Sequence, residues 1–258
     1  MFIPLHDTNR LRFIRRQYVV LALIFSNVAI YALTYLTRGI GSEQYTALTL
    51  GYIPTVVNDY VELSPEFVIV PEEATFLTYA FLHGGWLHLG SNMLFLWVFG
   101  DNVEDATGHL RFLVLYLLCA AAGAAAHGLL VPRSEQPLIG ASGAVAGVTA
   151  AYLILHPKVR VWVLVLGRVP LPLPAWIPLG LWIGMQVVMV VYDPFGEVSW
   201  AAHIGGIVAG AVLIVMLRRR GVPLLDRRIE PPDAAILEPA SAQPQTKAAP
   251  AARWGRGR

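Results

Sequence analysis

Six stretches of this chain are apolar for close to the length that crosses a bilayer, and nothing else in the sequence limits the fold so strongly. An α-helix rises about 1.5 Å per residue, so a hydrocarbon core about 30 Å thick calls for roughly 20 apolar residues. The stretches are 18–36, 86–103, 110–130, 139–155, 176–192 and 198–217. Inside lipid only helices and closed barrels satisfy every backbone N–H and C=O, and runs this long point to helices. The expected fold is an all-α membrane protein, a six-transmembrane-helix bundle over residues 18–217. The first run is long for a signal peptide and has no small-residue cleavage site after it, so it is read as a span.

Charge sets the expected orientation. Arg10, Arg12, Arg15 and Arg16 precede the first run, Lys158, Arg160 and Arg168 follow the fourth, and Arg218, Arg219 and Arg220 follow the sixth. The other short loops hold only Arg38 and Arg133. By the positive-inside rule both termini are cytoplasmic, and the second, fourth and sixth spans run inward from the outer face. Only 14% of residues are charged and the net charge is +2, so the basic residues are spent on topology and no nucleic-acid partner is expected. Cys119 is the single cysteine, which excludes an intramolecular disulfide and a Cys-based zinc site.

Residues 1–17 read as a cytoplasmic N-terminal segment and residues 37–82 as a partly structured external loop with interfacial helices. Residues 218–258 turn basic, then rich in Pro and Ala, and read as a disordered cytoplasmic tail ending in Arg253, Arg256 and Arg258.

Polar groups inside a bilayer are costly and mark function by default. Ser142 lies in the first turn of the fourth span, and His203 about five residues into the sixth, roughly 7 Å below its outer end. His88 and Asn92 stand four residues apart on one face at the start of the second span. All four fall in the outer half, on the three spans that begin outside. His83, five residues before His88, is rotated off that face and is expected at the interface. Taken singly, the serine reads as a cap, the histidine as structural and the asparagine as an interhelical bonding group. Their shared depth favours a joint role. Gly143, Ala146, Gly147 and Ala150 on the fourth span, with Gly206 and Gly210 on the sixth, would let the two backbones approach closely. Gly140 and Gly143 leave room beside Ser142, and the helix start offers free N–H groups and a positive dipole end.

Serine needs a base to become a nucleophile, and His203 is the one candidate on a span able to face it. A neutral imidazole there could take the Ser142 proton and return it to a leaving amine. The Ser142 N–H, the Asn92 amide and His88 could hold an oxyanion. Asp101, Glu104 and Asp105 lie at the inner end of the second span, and Asp193 and Glu197 in the last outer loop, so a Ser142–His203 dyad without a third carboxylate is expected. The chain has no His-Glu-x-x-His motif and no pair of intramembrane aspartates, so no metal or cofactor is expected. His127 has no evident partner and reads as structural.

At these residues the chain resembles the rhomboid family of intramembrane serine proteases. "GASG" at 140–143 is similar to the family's Gly-x-Ser-Gly around the nucleophile, which falls on Ser142. "AHIGG" at 202–206 resembles the motif around the catalytic histidine, which falls on His203. "HGGWLHLGSN" at 83–92 resembles the His-x-x-x-Asn element, giving His88 and Asn92 oxyanion-side roles, and "FGDNVEDATGHLRF" resembles the junction of the second and third spans. The likeness covers about 66–218.

The resemblance implies hydrolysis of peptide bonds in or near transmembrane helices of other membrane proteins, contact with membrane lipids, and lateral substrate entry between the second and fifth spans, the latter loosened by Pro178, Gly180 and Gly184. A bacterial inner membrane is the expected location. Two departures stand out. Ala74 and Thr75 occupy positions where many relatives have Trp-Arg, four and three residues before Thr78. Ala146 stands where some relatives stack an aromatic ring on the histidine, so something else must hold His203. Two further readings stay open: a non-catalytic rhomboid-like protein that binds membrane clients, and a transporter, for which Gln186 is the one polar group deep in the fifth span.

Overall fold

The structure, a computed structural model, describes residues 2–36, 43–165, 167–193, 196 and 198–226. The expected tail beyond Asp226 lies outside the described residues, as do Arg38 and Glu197.

The chain opens with strand β1 (Phe2–Asp7) and helix α1 (Tyr18–Leu36). Short helices α2 (Glu43–Leu50), α3 (Pro54–Val57) and α4 (Thr75–Thr78) follow within the expected loop. Two long helices, α5 (Trp86–Thr107) and α6 (His109–Leu130), are separated by Gly108 alone, whose φ of 87° turns the chain. Then come α7 (Ser142–Leu155), strands β2 (Arg160–Val165) and β3 (Val169–Pro174), α8 (Trp176–Tyr192) and α9 (Trp200–Leu217). The six long helices fall on the six apolar stretches. α1, α6 and α9 are long and apolar enough to cross a membrane, and α7 and α8 are shorter apolar helices. α5 carries Asp101, Glu104 and Asp105 in its last turns.

The expectation of an all-α fold needs correction. β1, β2 and β3 form an antiparallel three-stranded sheet, with Phe2 paired to Val165 and Asp7 to Val161, and a bulge between Pro4 and His6. Arg-Val-Trp-Val-Leu-Val in β2 is β-branched and aromatic, as strands favour, and too short to span a membrane. In β3, Pro170, Pro172 and Pro174 alternate, so their missing N–H groups share the free edge and the β2 ladder stays intact. β1 runs along α5, from Phe95 to Asn102. The Phe2 ring stands 6.0 Å from Phe95, which in turn lies 5.8 Å from Trp182 on α8.

Carboxylates at the end of α5 tie the N-terminal segment to the bundle. Glu104, fully buried, accepts from the Val19 and Val20 N–H groups at 3.0 and 2.8 Å, placing negative charge at the start of α1. Asp105 accepts from the N–H groups of Arg12, Phe13 and Ile14. Asp7 accepts from the Tyr152 hydroxyl at 2.6 Å and from Asn102 at 3.0 Å, joining β1 to α7 and α5. These acids therefore sit at the opposite end of the bundle from Ser142, and their oxygens are engaged in holding chain segments together.

The centre of the molecule is α7, most of it buried, packed against α9 through glycines. A Cβ on Gly206 would fall 1.9 Å from the Gly143 carbonyl oxygen, and one on Gly210 2.0 Å from that of Gly147. On the other side of α9, a Cβ on Gly205 would fall 2.4 Å from the Ala122 carbonyl oxygen of α6. Backbone thus meets backbone across α6, α7 and α9, as small residues permit in membrane bundles.

Candidate active site

Ser142 is the first residue of α7. The Leu138–Tyr52 bridge and a 3.0 Å bond from the Gly140 N–H to the Tyr79 carbonyl fix the approach to it. Gly140 has φ of 121°, where a side chain is strained, and a Cβ there would lie 2.6 Å from His88 Nε2. The glycine before the serine therefore makes room for the His88 ring. The Val145 N–H is the first to close on α7, reaching the Ala141 carbonyl at 2.9 Å. The N–H groups of Ser142, Gly143 and Ala144 consequently point out of the helix start with its positive dipole end.

His203 stands on the first turn of α9, which begins with a cap: Ser199 Oγ accepts from the Ala202 N–H at 3.2 Å. The same oxygen is 2.7 Å from His127 Nδ1 on α6. His127, without an evident partner in the sequence, anchors the start of the histidine-bearing helix. A Cβ on Gly143 would lie 3.2 Å from the Ala202 carbonyl oxygen and 3.1 Å from the Tyr79 hydroxyl. The chain neighbours of Ser142 and His203 are thus in van der Waals range of each other, at the same level of the bundle. Tyr79, whose hydroxyl donates to the Ala120 carbonyl at 2.8 Å, wedges beneath this contact. Nothing local in the sequence marks this tyrosine as part of a site; its place is a tertiary fact.

The His203 imidazole is buried. Its Nδ1 lies 2.7 Å from Gln186 Oε1 on α8, the Trp182 ring stands 6.2 Å away at 30°, and the Trp200 ring 6.0 Å away at 89°. These groups hold the ring in place of an aromatic residue at Ala146, which is itself fully buried. The lone glutamine in an apolar helix was the sequence signal, but its partner is a tertiary fact. No hydrogen bond joins Ser142 Oγ to His203 among the described residues.

His88 and Asn92 share a face of α5, and Asn92 donates one amide hydrogen to the His88 carbonyl at 3.0 Å, leaving its second. His88 reaches Gly140, two residues before Ser142. His83 is buried at 6% exposure and lies edge-on to His88 at 5.0 Å, beside the site. The turn at Gly84–Gly85 folds it inward. Burial first, and the neighbouring His88 second, push its pKa down to about 3.

Residues 71–220 match the Rhomboid domain family. Rhomboid protein 1, mitochondrial, of Saccharomyces cerevisiae is 28% identical over 185 residues, 70% of this chain and 51% of the yeast protein. Rhomboid-like protein 11, chloroplastic, of Arabidopsis thaliana is 36% identical over 80 residues, 31% of this chain and 28% of that protein. Rhomboid protease GluP of Bacillus subtilis is 32% identical over 140 residues, 52% of this chain and 24% of that protein. The chain spans about half the length of the yeast relative and less of the other two. Mitochondrial, chloroplast and bacterial relatives together support a membrane location and do not single out a bacterial inner membrane.

Proposed function

Because the chain belongs to the rhomboid family, we propose that it is an intramembrane serine endopeptidase that cuts peptide bonds in or near transmembrane helices through a Ser142–His203 dyad. The observation that carries this reading is the glycine-lined backbone contact that sets the start of α7 against the first turn of α9, with the Ala202 carbonyl oxygen 3.2 Å from where a Gly143 Cβ would be. Six long helices are read as six spans with both termini cytoplasmic, so the dyad lies toward the outer face, where water reaches it.

Nε2 of His203 takes the Ser142 hydroxyl proton as Oγ bonds the scissile carbonyl carbon and the carbonyl π pair moves to oxygen. Nucleophile–base bonds are often long in free enzymes and tighten on substrate binding. The oxyanion is met by the N–H groups at the start of α7, the free Asn92 amide hydrogen and His88. The imidazolium then protonates the leaving amine as the C–N bond breaks, leaving an acyl-Ser142. Water, deprotonated by the same histidine, attacks the ester, and Oγ leaves with the proton. A helical substrate hides its carbonyls in hydrogen bonds, so segments with helix-weakening or small residues are preferred.

The test is cleavage of single-span substrates by purified protein in liposomes, with Ser142→Ala and His203→Ala alongside. Loss of products in both variants, with normal insertion, supports the reading. Equal cleavage by Ser142→Ala contradicts it. Absence of cleavage by every form, with substrates retained on the protein, leaves the non-catalytic client-binding reading in its place.

A further inference from the structure

We infer that Gln186 is a positioning residue for His203, holding the imidazole in the tautomer whose Nε2 carries the lone pair. This rests on the reading of His203 as the base. Gln186 is 1% exposed on α8. Its amide nitrogen donates to the Trp182 carbonyl at 3.1 Å, one turn back on the same helix. A carbonyl oxygen only accepts, so the NH2 end of the amide must face Trp182 and the oxygen must face the imidazole. That oxygen also only accepts, so His203 Nδ1, 2.7 Å away, carries the proton. In a neutral ring Nε2 is then bare, which is the state a serine proton requires.

Both ends of a costly polar group in an apolar helix are thereby satisfied. The Trp182 and Trp200 rings confine the imidazole from two sides, and the Gln186 bond selects which nitrogen is free. The absence of an aromatic ring at Ala146 leaves this task to α8. A role limited to joining α8 to α9 would require only that the amide and the imidazole touch, and would be indifferent to the tautomer.

The experiment reads the ring 15N chemical shifts of His203 in histidine-labelled protein in lipid, assigned by their loss in His203→Ala. Expected is one tautomer, protonated at Nδ1, in the wild type. In Gln186→Leu the expectation is a mixture, with kcat on a single-span substrate down about tenfold or more and KM within about twofold. A wild-type ring protonated at Nε2 overturns the inference, as does wild-type kcat in a folded Gln186→Leu variant. Should that variant not fold, the wild-type tautomer alone decides. Should the wild type cleave no better than Ser142→Ala, the protease reading fails while the tautomer still reports on Gln186.

Discussion

Gly206→Ala puts a number on how closely α7 and α9 must approach. The added Cβ would lie 1.9 Å from the Gly143 carbonyl oxygen and 2.7 Å from its carbon, whereas Cβ atoms essentially never come within 3.0 Å of another heavy atom. Both clashing atoms are backbone, so no rotamer relieves them, and the helices must part by at least about 1 Å. Overpacking of this kind costs about 1–3 kcal/mol of stability. The larger effect falls on geometry, because Gly143 follows Ser142 directly and Gly206 is one turn from His203. A misplacement of about 1 Å in a catalytic array costs on the order of 100-fold. The assay is steady-state cleavage of a transmembrane substrate, with thermal unfolding in parallel. Gly90→Ala is the control, since Gly90 is exposed and a Cβ there meets nothing within 4 Å. A Gly206→Ala variant with wild-type kcat would refute the argument, and so would an equal loss in the control.

Two further predictions concern the ends of the bundle. Burial raises the Asp7 pKa from 3.8 to about 7, against the Tyr152 bond that lowers it, with Asp101 adding to the rise. The folded state therefore holds the proton more tightly than the unfolded chain. Its contribution is full below about pH 4 and lost as pH climbs through about 7, a change of at most a few kcal/mol. The readout is the difference in unfolding temperature between wild type and Asp7→Asn, which cancels groups common to both such as Asp101 and His83; it should shift against the wild type as pH climbs from about 5 to 8, and a pH-independent difference contradicts the assignment. At the other end, Ser199→Ala removes the α9 cap and the His127 bond. The loss is about 1 kcal/mol, a Tm drop of about 2–4 °C, and an unchanged Tm contradicts it.

The helices were legible because their signal is local: a run of apolar residues long enough to cross lipid needs no knowledge of its neighbours. Ser142 at a helix start and His203 one turn into another could be placed by counting along those runs. The sheet was hidden because β1 pairs with β2 across more than 150 residues, without a turn signature between them, and β2 with β3 sits between two spans where a loop is the simpler reading. Gln186 was visible as an oddity, yet its meaning depends on which helix faces it. His127 and Ser199 illustrate the same point, each ordinary alone and a lock once α6 meets α9. His83 precedes the start of α5 at Trp86, so helical rotation does not set its direction, and its contact with His88 is a tertiary fact.

The central claim is that Ser142 is a nucleophile activated by His203, and the most direct measurement is mass spectrometry of the protein after treatment with a fluorophosphonate in lipid. An adduct is expected on Ser142 in the wild type and none at that residue in Ser142→Ala or His203→Ala. Labelling of Ser142 that persists undiminished in His203→Ala, or a wild type that stays unlabelled at Ser142, would contradict it.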